Sequence, residues 1–203
     1  MHSGIISKKE WRNAMRKTET KKEQKKNKFR IVDLAYIGVS AAIIAICSWI
    51  SIPLTVPITL QTMAICLVAG LLGMKRGTIA TIIYILIGAI GVPVFSEFTS
   101  GIGILLGSTG GYIVGFIFTA LIVGFVSDKC KGKLLPMILS MVIGILVCYA
   151  FGTVWFAVVY AKDNDPASIA TILGWCVIPF LIPDAVKIAI AAILTNRLKR
   201  FIK

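Results

Sequence analysis

The stretch that decides the fold is LLPMILSMVIGILVCYAFGTVWFAVVY, residues 134–160, in which 27 consecutive positions carry no charged side chain. A membrane-spanning helix needs about 20 mostly apolar residues, so this segment is long enough to cross a bilayer with a tilt. The whole 203-residue chain is 57% hydrophobic and 15% charged, whereas soluble domains average about 25% charged residues. This composition excludes disorder for most of the chain and argues against a soluble enzyme. We therefore predict an integral membrane protein.

Five further apolar segments of comparable character flank this stretch. They are residues 34–52, 58–74, 78–92, 110–126 and 169–198. The second and third are short and are separated only by the charged turn Met74-Lys75-Arg76-Gly77, so one or both need not cross alone. Pro179 and Pro183 interrupt the last one. The prediction is an all-α bundle of six transmembrane helices over residues 33–203, preceded by a basic polar segment over residues 1–32.

Basic residues are distributed in a way that predicts the topology. Of the 22 Lys and Arg residues, 20 fall in segments 1–33, 75–77, 127–133 and 197–203, which alternate along the six predicted spans. Cytoplasmic loops are enriched in Lys and Arg, so both termini are predicted to be cytoplasmic in a cell membrane. Residues 1–30 hold eleven Lys and Arg against three Glu. Because an apolar span follows at once, we interpret this leader as a membrane-surface flank, not as a nucleic-acid-binding arm.

The sequence lacks the residues that several kinds of chemistry require. The five cysteines form no C-x-x-C pair and His2 is the only histidine, which argues against a disulfide framework and against a metal site. No G-x-x-x-x-G-K-[ST] loop is present, so ATP hydrolysis by that route is not expected. We predict that the chain is not an enzyme and carries no metal or cofactor.

Asp184 and Lys187 are the charged pair inside the last span. A charge at the centre of a membrane helix costs about 2.5–3.5 kcal/mol, so the pair costs roughly 5–7 kcal/mol before pairing. Residues three apart share a helix face, so a mutual ion pair that only stabilises the bundle is one interpretation. The other is a ligand or ion site. Pro183 suits the first turn of a helix, which would place Asp184 at its positive end, and we favour the ligand site.

Two other polar clusters accompany this pair. The 93–103 loop, PVFSEFTSGIG, continues into GSTGGY at residues 107–112 and mixes aromatic rings with hydroxyls and glycines. That composition suits a lid over a small ligand, although an ordinary external loop has a similar one. Gln61 opens the second span, where its amide needs hydrogen-bond partners, either in a ligand or in a neighbouring helix.

Small residues recur at helix-packing spacing in the first span, at Gly38, Ala41, Ala42 and Ala45. Such residues let helix backbones approach closely in lipid. The stripe therefore predicts either internal packing or a docking surface for another membrane helix.

Three of these segments together resemble a known family: VPITLQT at residues 56–62, LIGAIGVPVF at 86–95 and GSTGGY at 107–112. With Pro183, Asp184 and Lys187 near the end, the chain resembles BioY, the biotin-binding S component of energy-coupling factor transporters. The resemblance covers roughly residues 33–200 and leaves out the basic leader.

The resemblance implies a six-helix subunit in a prokaryotic cell membrane that captures biotin at the extracellular side. It also implies partnership with a membrane coupling subunit and two ABC-type ATPases, and it favours docking as the role of the Gly38, Ala41, Ala42 and Ala45 stripe.

The resemblance also directs the choice of ligand contacts. Asp184 is expected to accept a hydrogen bond from a ureido N–H of biotin, and Lys187 to donate to the ureido oxygen or to pair with the valerate carboxylate. The remaining polar candidates are Gln61, Ser100, Thr109 and Tyr112, and the candidates that cover the apolar ring are Phe95, Phe98 and Trp49.

Two alternatives from other classes remain open at this point. A self-sufficient secondary carrier or channel would use Asp184 as a proton or ion site. A membrane enzyme would use it for acid–base chemistry, although the predicted spans contain no histidine and no paired carboxylate to assist it.

Overall fold

The computed structural model describes Lys9, residues 11–13, 15–16, 31–130, 133–163 and 167–201. The chain divides into two compact units, residues 1–35 and 36–203. The described residues of the first unit are helical. The sequence-based domain boundary between residues 32 and 33 stays a prediction.

Helices make up nearly all of the described secondary structure. In chain order the elements are α1 (Ile31–Trp49), β1 (Ser51–Ile52), β2 (Ile58–Thr59), α2 (Gln61–Ala89), a 3-10 turn (Ser96–Phe98), α3 (Ile102–Leu106), α4 (Gly110–Lys129), α5 (Leu134–Asp163), α6 (Ile169–Cys176) and α7 (Ile178–Leu198). The two strands are only two residues long and pair antiparallel. The predicted all-α class is therefore confirmed.

Five helical segments among the described residues are long and apolar enough to cross a membrane. They are Ile31–Trp49, Gln61–Ala89, Gly110–Lys129, Leu134–Lys162 and Ile169–Leu198. The predicted membrane bundle is confirmed at this level. The segments number five because α2 contains both the second and the third predicted spans.

Inside α2 the chain reverses direction at Gly73. This residue has φ 78° and ψ −178°, which is not helical. A Cβ atom added to Gly77 would lie 2.7 Å from the Cα of Ala69, whereas positions eight apart in a straight helix lie about 12 Å apart. Gln61 Nε2 likewise donates to the Tyr84 hydroxyl at 3.0 Å. α2 is thus an antiparallel hairpin with arms 61–72 and 74–89.

The tight turn of this hairpin accounts for the glycine at position 73 and for the carboxylate of Asp128 beside it. The predicted turn ran from Met74 to Gly77, but the structure places it at Gly73, where only glycine adopts the required backbone angles without strain. The Asp128 carboxylate, at the end of α4, accepts a hydrogen bond from the Met74 backbone N–H at 3.0 Å. That bond satisfies an otherwise unpaired donor at the start of the second arm.

Polar contacts connect α7 to the same end of the bundle. Ser127 of α4 donates through its hydroxyl to the Gly70 carbonyl oxygen. Lys199, directly after α7, donates to the Ser127 carbonyl oxygen at 3.0 Å. The hairpin turn, the end of α4 and the end of α7 therefore meet at one end, opposite the open end of the hairpin.

Glycines bring α4 and α5 into close contact. A side chain on Gly115 would meet the Cys148 backbone at 3.0 Å, and one on Gly144 would meet Thr119 at the same distance. Thr119 donates to the Gly144 carbonyl oxygen at 2.8 Å. The small residues of these two helices therefore serve internal packing.

The last predicted span consists of two helices, α6 and α7, which meet at Val177, where φ is −128° and ψ −52°. Pro179 occupies the first turn of α7, and Pro183 lies inside this helix. The expectation that Pro183 opens a helix with Asp184 at its positive end is therefore wrong. The chain breaks six residues earlier, so Asp184 lies nearly two turns into α7.

Candidate functional site

A cavity lies at the open end of the hairpin, between α2, α4, α5 and α7. Its lining comprises Val56, Pro57, Thr59, Gln61, Thr62, Phe95, Ser96, Ile104, Thr109, Tyr112, Ile113, Phe116, Ile145, Cys148, Tyr149, Phe180, Asp184 and Lys187. About half of these side chains are apolar. Three of the polar ones, Thr62, Tyr149 and Lys187, donate hydrogen bonds to one carboxylate, that of Asp184. Such a combination is typical of a small-molecule site.

Asp184 is the centre of the polar network. Its Oδ1 atom accepts hydrogen bonds from Lys187 Nζ at 2.8 Å and from Thr62 Oγ1 at 3.2 Å. Its Oδ2 atom accepts one from the Tyr149 hydroxyl. Asp184 is 3% and Lys187 6% exposed. A buried charge is tolerated when it is paired and hydrogen-bonded. Here the hydrogen bonds to the Asp184 carboxylate come from side chains of three helices, α2, α5 and α7.

The pair keeps hydrogen-bonding capacity for a ligand. An ionised carboxylate has about four acceptor positions, and side chains of the described residues use three of them. Lys187 has three N–H donors and uses one within the described part of the chain. Both residues line the cavity, so the site can offer an acceptor and a donor to one ligand.

Gln61 lines the cavity and also closes the hairpin. Its Nε2 atom donates to the Tyr84 hydroxyl at 3.0 Å, and Tyr84 in turn donates to the Val94 carbonyl oxygen at 3.1 Å. The helix–helix hydrogen bond that the sequence left open is therefore present, and it joins both arms of α2 to the 93–103 loop.

Phe95 places the 93–103 loop over the cavity. It is 1% exposed and packs edge-on against the Tyr84 ring with 5.7 Å between centroids. Gly88 has no side chain to obstruct the Phe95 ring, which lies where a Cβ atom would be. Glu97 and Phe98 adopt φ angles of 56° and 57°, which are uncommon for residues other than glycine. The loop is thus held in a strained turn with Phe95 directed inward.

Thr109 and Tyr112, at the start of α4, reach the cavity as predicted candidates. The Tyr112 hydroxyl donates to the Cys176 carbonyl oxygen at 3.3 Å, which attaches α4 to the end of α6. Trp155 donates to the Gly107 carbonyl oxygen at 2.9 Å and so orients the segment that precedes α4.

Trp49, Phe98 and Ser100 are not among the residues that line the cavity. Trp49 and Phe98 instead stack on each other with centroids 5.0 Å apart, and Phe98 is 62% exposed. Trp49 Nε1 donates to the Pro93 carbonyl oxygen at 2.9 Å. These two rings therefore attach the 93–103 loop to α1 from outside, and contact of the three residues with a ligand stays a prediction.

Tyr149 and Thr62 are the two partners of Asp184 that sequence reasoning missed. Both donate to Asp184. Thr62 ends the VPITLQT segment, so its position pointed to the site. Tyr149 is a hydroxyl in the middle of an apolar span, and the need of every buried hydroxyl for a partner could have identified it.

The predicted docking stripe on α1 does not form one exposed face. Ala41 and Ala45 are buried, whereas Gly38 and Ala42 are exposed. A side chain added to Gly38 would meet nothing within 4 Å. Docking of a coupling subunit at this stripe, with two of its four residues buried, stays a prediction.

Comparison with known proteins identifies close relatives. The chain is 39% identical over 164 residues to "Biotin transporter BioY" of Thermotoga maritima, covering 80% of this chain and 93% of the relative. It is 35% identical to "Probable biotin transporter BioY" of Pyrococcus horikoshii over 168 residues, covering 82% and 96%. It is also 34% identical to "Biotin transporter BioY2" of Lactococcus lactis, covering 81% and 88%.

The fold also matches a solved structure, described as the crystal structure of the S-component for biotin from an ECF-type ABC transporter. The TM-score is 0.75 at 26% identity, over 84% of this chain and 92% of the other. The model of the BioY family matches residues 19–203, which includes part of the basic leader that the resemblance left out. From this match and from the relatives, the chain belongs to the BioY family.

Proposed function

We propose that this chain, a biotin transporter S component of an ECF-type ABC transporter, binds biotin in the cavity around Asp184. The observation that carries the proposal is the buried Asp184–Lys187 pair, which lines the cavity. It presents an acceptor and a donor together within one helical turn.

The chemistry of biotin matches this arrangement. Its ureido ring has two N–H donors and one strong oxygen acceptor, its thiophane ring is apolar, and its valerate tail is anionic. Asp184 accepts from a ureido N–H, and Lys187 donates to the ureido oxygen. Phe95, Phe116 and Phe180 supply apolar walls for the thiophane ring. In the opposite orientation of the ligand, Lys187 pairs with the valerate carboxylate instead.

Hydrogen bonds alone do not account for tight binding. A bond to a charged group contributes about 1.5–3 kcal/mol, whereas nanomolar affinity requires about 12 kcal/mol. Burial of the ring must therefore contribute much of the rest. Phe95, already directed inward by the 93–103 loop, is the aromatic side chain placed to provide it.

The topology that we infer has six membrane crossings, with the two arms of α2 as the second and third. Support comes from the reversal at Gly73, which returns the chain to the side from which it came. The basic residues Lys75, Lys129 and Arg197 then lie on the cytoplasmic side with both termini. The cavity and the 93–103 loop lie at the other end of the hairpin and therefore open to the exterior.

ATP-driven uptake requires partners, since the sequence contains no P-loop. We propose a membrane coupling subunit and two ABC-type ATPases for this role. The proposed contact with the coupling subunit is the α1 stripe of Gly38, Ala41, Ala42 and Ala45, in which Gly38 and Ala42 are exposed, because small residues allow close helix approach.

The deciding experiment is a titration of the detergent-purified protein with biotin, after an external biotin trap has removed ligand that co-purified. We expect stoichiometric binding without competition from thiamine or riboflavin. Folded, ligand-free protein that binds no biotin would contradict the proposal. Proton-coupled uptake by the isolated protein in liposomes would instead support the carrier alternative.

A further inference from the structure

A second depression lies between α5 and α7, separate from the cavity mouth. Val142 and Leu146 line it from α5, and Leu181, Ala185 and Ala189 line it from α7. We call it the lateral groove. These five side chains are aliphatic, so the groove suits an apolar occupant.

The lateral groove and the biotin cavity share a wall. Ile145, Tyr149 and Asp184 line both spaces. The hydrogen bond from the Tyr149 hydroxyl to Asp184 Oδ2 spans this wall. A molecule in the lateral groove would therefore contact the back of the side chains that hold the Asp184 carboxylate.

The rim of the groove continues into the exposed apolar surface of the two helices. Leu146 is 55% exposed, and Ile143 on α5 and Ile182 and Val186 on α7 are exposed beside it. In a multi-pass membrane protein, such a surface faces lipid. The described lining contains one charged side chain, Asp184, and both of its oxygens already accept hydrogen bonds from the protein.

We propose that the lateral groove binds one acyl chain of a membrane phospholipid, which forms the outer layer of the cavity wall. An empty groove would deprive Ile145 and Tyr149 of packing partners on one side. An acyl chain is narrow, flexible and entirely apolar, so it fills the groove without leaving a polar atom unpaired.

The shape of the groove favours an acyl chain over a helix of another protein. Close helix packing in lipid needs small residues that let the backbones approach. Only the α7 side offers them, at Ala185 and Ala189, whereas Val142 and Leu146 project from the α5 side. A second copy of this chain would meet the same branched side chains.

One consequence rests on the proposed biotin function. An acyl chain in the lateral groove holds Tyr149 against Asp184. It also keeps water from reaching the carboxylate through the groove. Removal of lipid loosens this wall. We expect biotin affinity in lipid-free detergent to fall by roughly tenfold relative to nanodiscs, which corresponds to about 1.4 kcal/mol.

The direct test uses full-length protein in nanodiscs that contain a phosphatidylcholine with a diazirine in the middle of one acyl chain. After photolysis, mass spectrometry maps the labelled residues. We expect labelling concentrated at the groove and a several-fold loss of it in Ala189→Leu, which fills the groove. Ala150→Leu is the matched control, because it adds the same atoms to an exposed α5 position that does not line the groove.

Uniform labelling along both helices, unchanged in Ala189→Leu, would overturn the proposal. In a parallel experiment with a photoreactive amino acid at Val142, a crosslink to a second protein chain would overturn the proposal as well, because a helix would then be the occupant. The biotin affinity is measured separately. In Ala189→Leu, we expect the same biotin affinity in detergent and in nanodiscs. Concentrated labelling in a protein that never binds biotin would support the lipid site and reject the biotin function.

Discussion

The two ends of the hairpin each depend on one carboxylate, and the two carboxylates differ in every respect that matters for binding. Asp128 is exposed and accepts a hydrogen bond from the backbone N–H of Met74, directly after the Gly73 turn. Asp184 is 3% exposed and accepts from the side chains of Thr62, Tyr149 and Lys187. The carboxylate that serves the backbone completes a turn, whereas the carboxylate held by side chains lines the cavity proposed for biotin.

The largest expected effect is on stability, at the buried pair. Asp184→Ala leaves Lys187 charged and unpaired in the bundle, which costs about 3–5 kcal/mol. The double variant Asp184→Ala with Lys187→Met removes both charges and should recover most of this loss. Unfolding in mixed detergent micelles measures both. Equal destabilisation of the single and the double variant would contradict the ion-pair interpretation.

Asp184→Asn tests the ligand role at nearly constant shape. The amide loses a charge-assisted bond to biotin, worth about 1.5–3 kcal/mol, so the dissociation constant should rise by roughly one to two orders of magnitude. Calorimetric titration measures it. Asp128→Asn is the matched control at the other end of the hairpin, and its biotin affinity should equal that of the unmodified protein. An unchanged affinity in Asp184→Asn would remove Asp184 from the biotin site.

Gly73→Ala tests the end of the hairpin that carries the turn, opposite the cavity. The backbone angles at Gly73 are strained for any other residue, and a Cβ atom would collide with Asp128. We expect a loss of about 1–3 kcal/mol in the free energy of unfolding. Biotin affinity of the folded fraction should not change, because the cavity lies at the other end. A parallel loss of affinity would show that the two ends are coupled.

The smallest expected effect comes from Tyr149→Phe, which keeps the ring and removes the hydroxyl. Loss of one hydrogen bond to Asp184 should weaken biotin binding by about 0.5–1.5 kcal/mol, or a few-fold to roughly tenfold. Thr62→Val removes the other hydroxyl donor and provides a comparison. If Asp184→Asn is made first, Tyr149→Phe should add little, since the two residues act through one carboxylate.

Sequence reasoning predicted the parts of the site that are local. Asp184 and Lys187 are three apart on one helix, so their shared face was predicted from helix geometry, and the structure pairs them at 2.8 Å. Thr62 and Tyr149 reach the same carboxylate from positions 122 and 35 residues away. No periodicity connects such distant positions, and therefore these two partners were missed.

The differences between expectation and structure have the same origin. Pro183 looked like a helix start, yet the neighbouring residues continue the helix through it from Ile178. The α1 stripe looked like one surface, yet packing buried Ala41 and Ala45 and left Gly38 and Ala42 exposed. Trp49 and Phe98 stack on each other and are not among the residues that line the cavity, and their contact with a ligand stays a prediction.

By itself, the sequence determined the membrane class, the approximate spans, the Asp184–Lys187 pair and the resemblance to a biotin-binding family. The length of apolar segments, the distribution of charge and the spacing along a helix are properties of neighbouring residues, so they can be obtained from the sequence. The tertiary structure alone decided the partners of Asp184, the reversal at Gly73 as the joint of one hairpin, and the wall shared by the cavity and the lateral groove. These features depend on which distant side chains meet, and packing, not chain order, governs that choice.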